Sequence, residues 1–374
     1  MPGGPLRVLQ IYPKGDFFTG AAVQLWDLAR GLAARGHQVT VVTPASPVWA
    51  ARCREAGLAH VAIPMRRPWD PRAAWRLARL IRARRIQIAH AHKGRARTLA
   101  VLAGLLGARA ILVLNRGVSF RVGGLRRRVG YASRRVHAVV AVCRSIKDGL
   151  VAAGVPAAKV EVIYSGTDLE RFHPGVDGGT VRRELGLGPG HALITQVGVR
   201  SWRGWRDLLE AMPSVVGRFD GARLLFVGAP PPRIAEIGDL ARALGLSRHV
   251  LVLGHRDDVP AILTASDVVV DASYAGLGIT GSIREALACE RPVVATRMEG
   301  MPELIVDGET GLLVEPRHPA ALAAAIVQVL GDPGAAQAMA RAGRKRVEAH
   351  FSLSAKLDAT EALYRRLAAA AGRA

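Results

Sequence analysis

A chain of 374 residues is too long for one ordinary hydrophobic core and predicts two domains. No apolar run approaches the roughly 20 residues of a membrane helix, and the first apolar stretch, LRVLQIYP, lacks the basic start of a signal peptide, so a cytoplasmic location is expected. The three cysteines are far apart, which excludes a disulfide framework and a C-x-x-C zinc site, while the net charge of +22 predicts an anionic partner.

The positive charge is concentrated in the first half of the chain. Residues 1–172 hold 29 Lys+Arg and 8 Asp+Glu, a net of +21, and the remainder holds 23 and 22, a net of +1. The expected partner is an anionic membrane surface, a phosphorylated glycolipid or a nucleic acid, and an arginine-rich solvated face is the alternative. No helix-turn-helix, zinc-finger or aromatic RNP pattern is present, so nucleic acid is not expected. The basic clusters are Arg66-Arg67, residues 82–85, residues 126–128 and Arg134-Arg135.

Short β-branched runs alternate with amphipathic segments from the first residues. RVLQIYP, then AAVQLWDLARGLAARG closed by Gly36, then HQVTVV predict a β-α-β unit. The alternation continues through the strand-like runs AHVAI, IQIAHA, ARAILVL, HAVVAV and VEVIY, with helices near 70–85 and 94–107. This order predicts that the first domain is an α/β fold with a doubly wound, Rossmann-like parallel sheet.

A second α/β domain follows the stretch GTDLERFHPGVDGG, whose Gly, Pro and Asp residues predict a linker. The strand-like runs ALITQV, ARLLFV, HVLVL, DVVVD and PVVAT each precede a helical pattern, and Ala-rich helices cover 318–371. We place the domains at 1–172 and 173–354, and expect a last helix at about 355–374 to pack back on the first domain. Ligands of such folds bind outside the carboxyl ends of the strands, so the expected site is a cleft that faces both sheets.

The run GLGITG at 276–281 has the G-x-G-x-x-G spacing of a phosphate-binding turn. A strand is predicted over Asp267 to Ala272 and a helix over Ser282 to Cys289, so the glycines lie where backbone amides and the helix dipole favour an anion. A redox cofactor would place this fingerprint after the first strand of its domain. Its late position here argues against a nicotinamide or flavin cofactor.

Glu285, expected in the first turn of that helix, has two interpretations. Its carboxylate could accept two hydrogen bonds from a vicinal ribose diol while a diphosphate lies at the helix start. The run Ser282-Ile283-Arg284-Glu285 also fits the S-x-x-E capping box, which would return the carboxylate to the backbone. Spacing alone favours neither.

The longer stretch AGLGITGSIREALACERPVVATRMEGMPELIVDGETGLLVEP resembles the donor-site signature of family 4 glycosyltransferases. VIYSGTDLERFHP is similar to the family's interdomain segment, QVGVRSWRGWRDLLEAM to its first segment in the second domain, and HRDDVPAILTASDVVVDAS to the approach to the donor site. The likeness covers nearly the whole chain. It implies the GT-B fold, in which two Rossmann-like domains face a central cleft, and sugar transfer with retention of anomeric configuration.

The resemblance implies a set of donor-binding residues in the second domain. Glu285 would hold the donor ribose. Gly278, Ile279 and Thr280 would lie against the diphosphate and the sugar, with Gly281 at the helix start.

The resemblance also implies charged and glycine contacts elsewhere. Arg200 and Arg203 match the family's basic pair and would neutralise the diphosphate as it leaves; an exposed, solvated turn is the alternative. Arg256 would lie near the base, and Gly20 would approach the donor from the first domain. Where the family usually carries a first glutamate, this chain has Ala275, so one contact to the sugar is expected to be absent.

Two first-domain positions complete the expected site. Arg116, in Asn115-Arg116-Gly117, stands where many members place a His-Gly pair, and would stabilise phosphate as in lipopolysaccharide-type members. His92, in AHAHKG, would contact the acceptor or the sugar; a histidine that fills the sheet edge is the alternative. No D-x-D lies in a suitable loop and H-x-H alone is a weak metal motif, so neither a metal ion nor a cofactor is expected.

These observations predict a hexosyltransferase that uses a nucleoside diphosphate sugar. The acceptor would be a sugar, glycolipid or lipopolysaccharide-type molecule in cell-envelope synthesis, and the basic first domain would contact the inner face of the cytoplasmic membrane. No carboxylate pair of the retaining-glycosidase kind is evident, so same-face displacement is expected. The alternatives are a non-catalytic sugar-nucleotide binder, suggested by Ala275 and Arg116, and a nicotinamide-dependent oxidoreductase.

Overall fold

The computed structural model describes residues 4–17, 19–119, 124, 130–276 and 278–372. The chain divides into two compact units, one formed by Met1–Gly166 together with Leu353–Ala374 and the other by Thr167–Ser352. The chain passes from the first unit to the second between residues 166 and 167, a few residues before the expected boundary at 172/173. It returns to the first unit between residues 352 and 353, close to the expected boundary at 354/355. The basic cluster at residues 126–128 lies outside the described residues.

The first unit is built on a parallel sheet of seven strands. Its elements are β1 Arg7–Ile11, α1 Gly20–Ala34, β2 Gln38–Thr43, α2 Pro47–Glu55, β3 Ala59–Ala62, α3 Pro71–Ala83, β4 Ile88–His92, α4 Lys93–Leu105, β5 Ile111–Arg116, β6 Val136–Ala141, α5 Arg144–Ala152 and β7 Val160–Val162. The strand order is β3-β2-β1-β4-β5-β6-β7, so the chain first winds to one side of β1 and then, from β4, to the other. The doubly wound sheet predicted for this part of the chain is confirmed.

Local sequence explains how this unit begins. Val8 is fully buried and pairs with Val39 on β2 and with Ile88 on β4, because a central strand of a parallel sheet is covered on both faces. Helix α1 begins after Thr19, whose side chain accepts a hydrogen bond from the backbone N–H of Ala22. It ends before Gly36, whose φ of +86° lies in the left-handed region that favours glycine, as the sequence predicted.

The second unit contains a parallel sheet of six strands. Its elements are α6 Gly179–Glu184, β8 Ala192–Val197, a 3₁₀ turn Ser201–Arg203, α7 Trp205–Arg218, β9 Ala222–Val227, α8 Pro231–Ala243, β10 Val250–Leu253, α9 Val259–Ala265, β11 Val268–Asp271, α10 Gly281–Ala288, β12 Val293–Thr296, α11 Met301–Leu304, β13 Leu312–Val314, α12 Pro319–Gly331 and α13 Pro333–His350. The order is β10-β9-β8-β11-β12-β13, which repeats the doubly wound pattern of the first unit. The edge strand β13, which was not predicted, pairs with β12.

The last helix, α14 Leu353–Ala370, belongs to the first unit and packs on α1. Its Tyr364 is fully buried, and the phenol oxygen lies 2.6 Å from Nδ1 of His90 on β4. The Nε2 of Gln10 donates to the same oxygen over 3.3 Å, and Nζ of Lys356 donates to the backbone carbonyl of Gln24 on α1 over 2.6 Å. A polar network inside the core therefore fixes where this helix lies.

No single helix in the described ranges is long and apolar enough to cross a membrane. Helices α12 and α13 together have the length and composition, but they are bent by 101° relative to each other. In α12 the side chains of Leu322, Ile326 and Val329 are buried in the core of the second unit.

The contact between α13 and α10 depends on a glycine. A Cβ at Gly343 would lie 2.4 Å from Cδ2 of the buried Leu287 and 3.0 Å from the backbone oxygen of Thr310. We expect Gly343→Ala to lower the free energy of unfolding by about 1–3 kcal/mol, because the two helices must separate. Urea denaturation measures the change.

A glycine in an open helical position is the matched control. A Cβ at Gly238 in α8 would meet nothing within 4 Å, so Gly238→Ala should raise the free energy of unfolding by about 0.4–1 kcal/mol. Equal changes in the two variants would contradict the close approach of α13 to α10.

Burial of His90 makes stability depend on pH. Burial, helped by the charge of Lys356, lowers the pKa of His90 from 6.5 to about 3. Below pH 6.5 the unfolded chain binds a proton that the folded chain does not, so stability falls as the pH falls from 6.5 toward 3, by at most about 1.4 kcal/mol per pH unit for this one group. His90→Asn should make that loss shallower in urea titrations at successive pH values.

If His90→Asn keeps the wild-type slope, the ring of His90 is not held neutral in the fold.

Candidate functional site

The candidate donor site lies at the carboxyl edge of the second sheet, where the strand order reverses. Strands β8 and β11 are neighbours, but the chain continues from β8 to β9 on one side and from β11 to β12 on the other. The loops after β8 and β11 therefore leave the sheet side by side, at the edge where sheets of this topology bind their ligands. The basic pair and the Gly-rich run lie in these two loops.

Arg203 joins the ends of both strands to the start of α10. Its side chain is buried, and Nη1 lies 3.0 Å from Oδ2 of Asp271, the last residue of β11. Nη2 donates to the carbonyl oxygen of Val197 at the end of β8 over 2.6 Å. The same guanidinium donates to the hydroxyl of Thr280 over 3.3 Å and to that of Ser282 over 3.4 Å. The solvated-turn alternative is therefore wrong for Arg203.

A glycine lets the two loops meet. Gly204 has a φ of +60°, and a Cβ there would lie 1.8 Å from the backbone oxygen of Ala272, so no other residue fits. Tyr274 adds two bonds, since its N–H donates to Trp202 O over 3.0 Å and its hydroxyl donates to Ser201 O over 2.7 Å. The loop after β11 is thus held against the loop after β8.

Helix α10 begins at this edge with its first residue at Gly281 and its N-cap at Thr280. The Thr280 side chain forms no capping bond to the helix, and its hydroxyl instead accepts the bond from Arg203. The first-turn amides of such a helix end favour an anion. Before it, the carbonyl of Gly278 accepts a bond from the N–H of Gly300 over 3.0 Å, and Ile279 is half-buried. Leu277 of the glycine run lies outside the described residues.

The capping-box alternative for Glu285 is wrong. That motif needs Ser282 at the N-cap, but the N-cap is Thr280, so Ser282 is already inside the helix and Glu285 lies in its second turn rather than the first. The Glu285 carboxylate turns back toward the helix start, where its Oε1 would lie 3.4 Å from a Cβ added to Gly281. Gly281 and Glu285 are therefore brought together at the same helix end.

Helix α10 is anchored along its buried side. Arg284 is buried, and its Nη1 donates to the hydroxyl of Thr167 over 2.9 Å. At the other end, the Arg344 guanidinium of α13 donates to the backbone oxygen of Ala288. These bonds, with the close approach at Gly343, hold the helix that carries Glu285.

The other two arginines that the sequence predicted in the donor site, Arg200 and Arg256, have different surroundings. Arg200 is exposed at the start of the 3₁₀ turn, with its guanidinium 5.9 Å from the Trp202 ring centroid. Arg256 follows β10 and is held by two carboxylates: Nε and Nη2 donate to Asp258, and Nη1 and Nη2 donate to Glu184 over 2.6 and 2.8 Å. These hydrogen bonds raise the pKa of Arg256 and lower those of Glu184 and Asp258. Arg256 thus ties its loop to α6, and its contact with the base stays a prediction.

The first-unit residues lie at the carboxyl edge of their own sheet. Gly20 is exposed as the first residue of α1, and a Cβ there would meet nothing within 4 Å. Arg116 is the last residue of β5, with its guanidinium 6.0 Å from the Tyr131 ring centroid. His92 ends β4; it is buried, and its Nε2 lies 2.8 Å from Oε1 of Gln10. Burial lowers the pKa of His92 well below 6.5, so the ring is neutral and lies inside the sheet edge.

Within the described residues, no group of three or more His, Cys, Asp or Glu side chains is placed to hold a metal ion. The side chains that organise the site are instead Asp271, which pairs with Arg203, and Ser273, whose hydroxyl and N–H both donate to Oδ1 of Asp271. Neither residue was predicted from the sequence. The sequence did contain a signal for Asp271, since this acidic residue ends the apolar run DVVVD and a buried charge needs a partner.

Two family profiles match separate parts of the chain. The profile described as Glycosyltransferase Family 4 matches residues 18–171, and the one described as Glycosyl transferases group 1 matches residues 192–332. The second match contains both loops of the candidate donor site.

Several known proteins are similar in sequence to this chain, over different fractions of its length. The N-acetyl-alpha-D-glucosaminyl L-malate synthase of Bacillus anthracis is 25% identical over 92% of this chain and 93% of its own. The GDP-mannose-dependent alpha-(1-6)-phosphatidylinositol monomannoside mannosyltransferase of Mycobacterium tuberculosis is 32% identical over 54% of this chain and 55% of its own. The chain thus matches about half the length of this second relative and of several others.

A solved structure shows the same fold. The crystal structure of Anabaena Alr3699/HepE in complex with UDP superposes with a TM-score of 0.86 over 96% of this chain and 100% of its own, at 21% identity. The predicted GT-B pair of Rossmann-like domains is confirmed. Because both profiles match in chain order, the chain carries a Glycosyltransferase Family 4 domain followed by a Glycosyl transferases group 1 domain.

Proposed function

We propose that this protein transfers a sugar from a nucleoside diphosphate to an acceptor hydroxyl, with the donor bound at the carboxyl edge of the second sheet. The observation that carries the proposal is the start of α10: its N-cap side chain bonds Arg203 rather than the helix, and Glu285 turns back over Gly281. The free N–H groups at the start of a helix, with an arginine bonded to its N-cap, favour the binding of a diphosphate. The UDP bound by the Anabaena protein of the same fold supports this choice of ligand.

Each chemical group of the nucleotide sugar has a candidate partner among the described residues. The diphosphate lies on the amides from Gly278 to Gly281, beside Ile279 and Thr280, and Arg200 reaches it from solvent. Glu285 accepts hydrogen bonds from the ribose diol. Arg203, paired with Asp271, acts as a positioning residue because it holds the start of α10 in place. Arg256 fixes the loop that borders the base.

Transfer proceeds with retention and without a metal ion or other cofactor in this proposal. The acceptor oxygen bonds to the anomeric carbon on the face from which the diphosphate departs, and the acceptor proton passes to the departing phosphate oxygen. Asp271 cannot serve as a nucleophile of the retaining-glycosidase kind, because it is buried and engaged by Arg203 and Ser273. Catalysis then depends on positioning and on charge stabilisation of the leaving group.

The acceptor binds at the carboxyl edge of the first sheet. Arg116 offers a cation there for a phosphorylated acceptor, and His92 holds the edge of β4 from within. A Cβ added to Gly20, the first residue of α1, would meet nothing within 4 Å, so the backbone is open to a ligand at this point. The net charge of +21 on residues 1–172 favours a phosphorylated glycolipid or lipopolysaccharide-type acceptor. The protein would then work in cell-envelope synthesis at the inner face of the cytoplasmic membrane.

Arg200 gives the most direct test of the proposed charge stabilisation. In Arg200→Gln we expect kcat/KM for sugar transfer to fall on the order of a hundredfold, because a preorganised cation at the leaving diphosphate is lost. The measurement is the initial rate of transfer from the nucleoside diphosphate sugar that turns over fastest in a screen. Unfolding by urea should be unchanged, since Arg200 is exposed.

Arg218 provides the matched control, because it is also exposed but ends α7, roughly 20 Å of helix away from the site. Arg218→Gln should keep the wild-type rate. If Arg200→Gln also keeps it, or both variants lose it equally, the proposed contact with the diphosphate is wrong.

A further inference from the structure

Helix α3 presents a face that its own unit does not cover. Its buried side is made of Ala73, Ala74, Leu77, Ala78 and Ile81, which pack inward. The opposite side carries Arg72, Trp75, Arg76 and Arg79, at the i, i+3, i+4 and i+7 spacing of one helical stripe, and all four are exposed. Half of the Trp75 side chain is in solvent, as is that of Trp69 just before the helix.

Apolar side chains extend this face at the far end of α3. The Arg82 guanidinium donates to the backbone oxygen of Leu106 over 2.9 Å, which brings the end of α4 beside it. Leu105 is 63% exposed and Leu106 is 45% exposed. The face therefore exposes one tryptophan within the stripe, one before it and two leucines at its far end. The surface of a soluble protein rarely exposes such side chains together. We call Trp69, the stripe and Leu105–Leu106 the α3 surface.

The positive charge of the α3 surface is not neutralised by acidic side chains in the part of the chain that the structure describes. Asp70 is the only acidic residue between Glu55 and Asp148 in the sequence. Its carboxylate is used as the N-cap of α3, where it accepts bonds from the N–H groups of Arg72 and Ala73. None of the stripe's three arginines forms an ion pair with any residue that the structure describes, and Arg79 lies 5.7 Å from the Trp75 ring centroid.

We infer that the α3 surface binds a bilayer that contains anionic phospholipids, with α3 lying in the plane of the interface. Arginines pair with lipid phosphates, tryptophan rings prefer the headgroup region, and the leucines reach the acyl boundary. The phosphates of a nucleic acid could also pair with the arginines, but a nucleic acid offers no apolar region in which the exposed leucines could be buried. The inference names the surface for the membrane contact proposed above, and takes only its choice of partner from that proposal.

Vesicle binding by the full chain, without a sugar donor, tests the inference separately from sugar transfer. We expect the protein to float with vesicles of phosphatidylcholine mixed with phosphatidylglycerol, and much less with phosphatidylcholine alone. Arg72→Gln with Arg76→Gln should weaken binding by about tenfold or more, since each arginine near an anionic surface contributes roughly fivefold. Trp69→Ser with Trp75→Ser should weaken it similarly and remove the quenching of tryptophan fluorescence by brominated lipid.

The matched control removes the same charge elsewhere on the first unit. Arg30 on α1 and Arg54 on α2 are exposed and unpaired among the described residues, so Arg30→Gln with Arg54→Gln should change binding by less than about threefold. Equal loss in the two double arginine variants, or unchanged vesicle binding after Trp69→Ser with Trp75→Ser, would overturn the inference. Retention of the protein by RNA or DNA at a salt concentration where vesicles do not hold it would also overturn it, and would make the α3 surface a nucleic-acid interface. Sugar transfer to a water-soluble acceptor should survive in every variant.

Discussion

The candidate site depends on one buried ion pair, between Arg203 and Asp271. Such a pair is expensive to desolvate and does not by itself stabilise a fold, but removing one partner typically costs about 3–5 kcal/mol because a buried charge is left alone. Here the remaining polar atoms are used: Asp271 accepts from Ser273, and Arg203 donates to β8 and to the start of α10. The pair therefore fixes the relative positions of two strand ends and one helix start.

Close backbone approaches allow the ion pair to form. Gly204 lets the loop after β8 lie against Ala272, and Gly343 lets α13 pack on α10 from its other side. With Arg284 bonded to Thr167, the helix that carries Glu285 is held in place along its length. The site is thus preorganised by buried groups, while the side chain expected to meet the diphosphate first, Arg200, stays in solvent.

The sequence predicted the fold well because buried parallel strands read as short apolar runs. Both sheets and the long helices follow from that alternation. β13 was missed because a three-residue edge strand carries too little pattern, and α2 and α5 were missed because each of these helices buries only two side chains. The Gly-rich turn and Glu285 were predicted to be site residues from spacing and family resemblance. The roles of Arg203, Asp271 and Arg256 could not be found that way, because they depend on ion pairs between residues 68 or more positions apart.

Calorimetric titration with UDP and UMP, GDP and GMP, and ADP and AMP shows whether the start of α10 binds a diphosphate. If it does, one nucleoside diphosphate should bind at least about tenfold more tightly than its monophosphate. Glu285→Gln should weaken both members of that pair by a similar factor, because it removes a ribose contact and leaves the phosphate contacts in place. Equal affinity for the diphosphate and the monophosphate, or binding of NAD alone, would contradict the predicted preference for one nucleoside diphosphate.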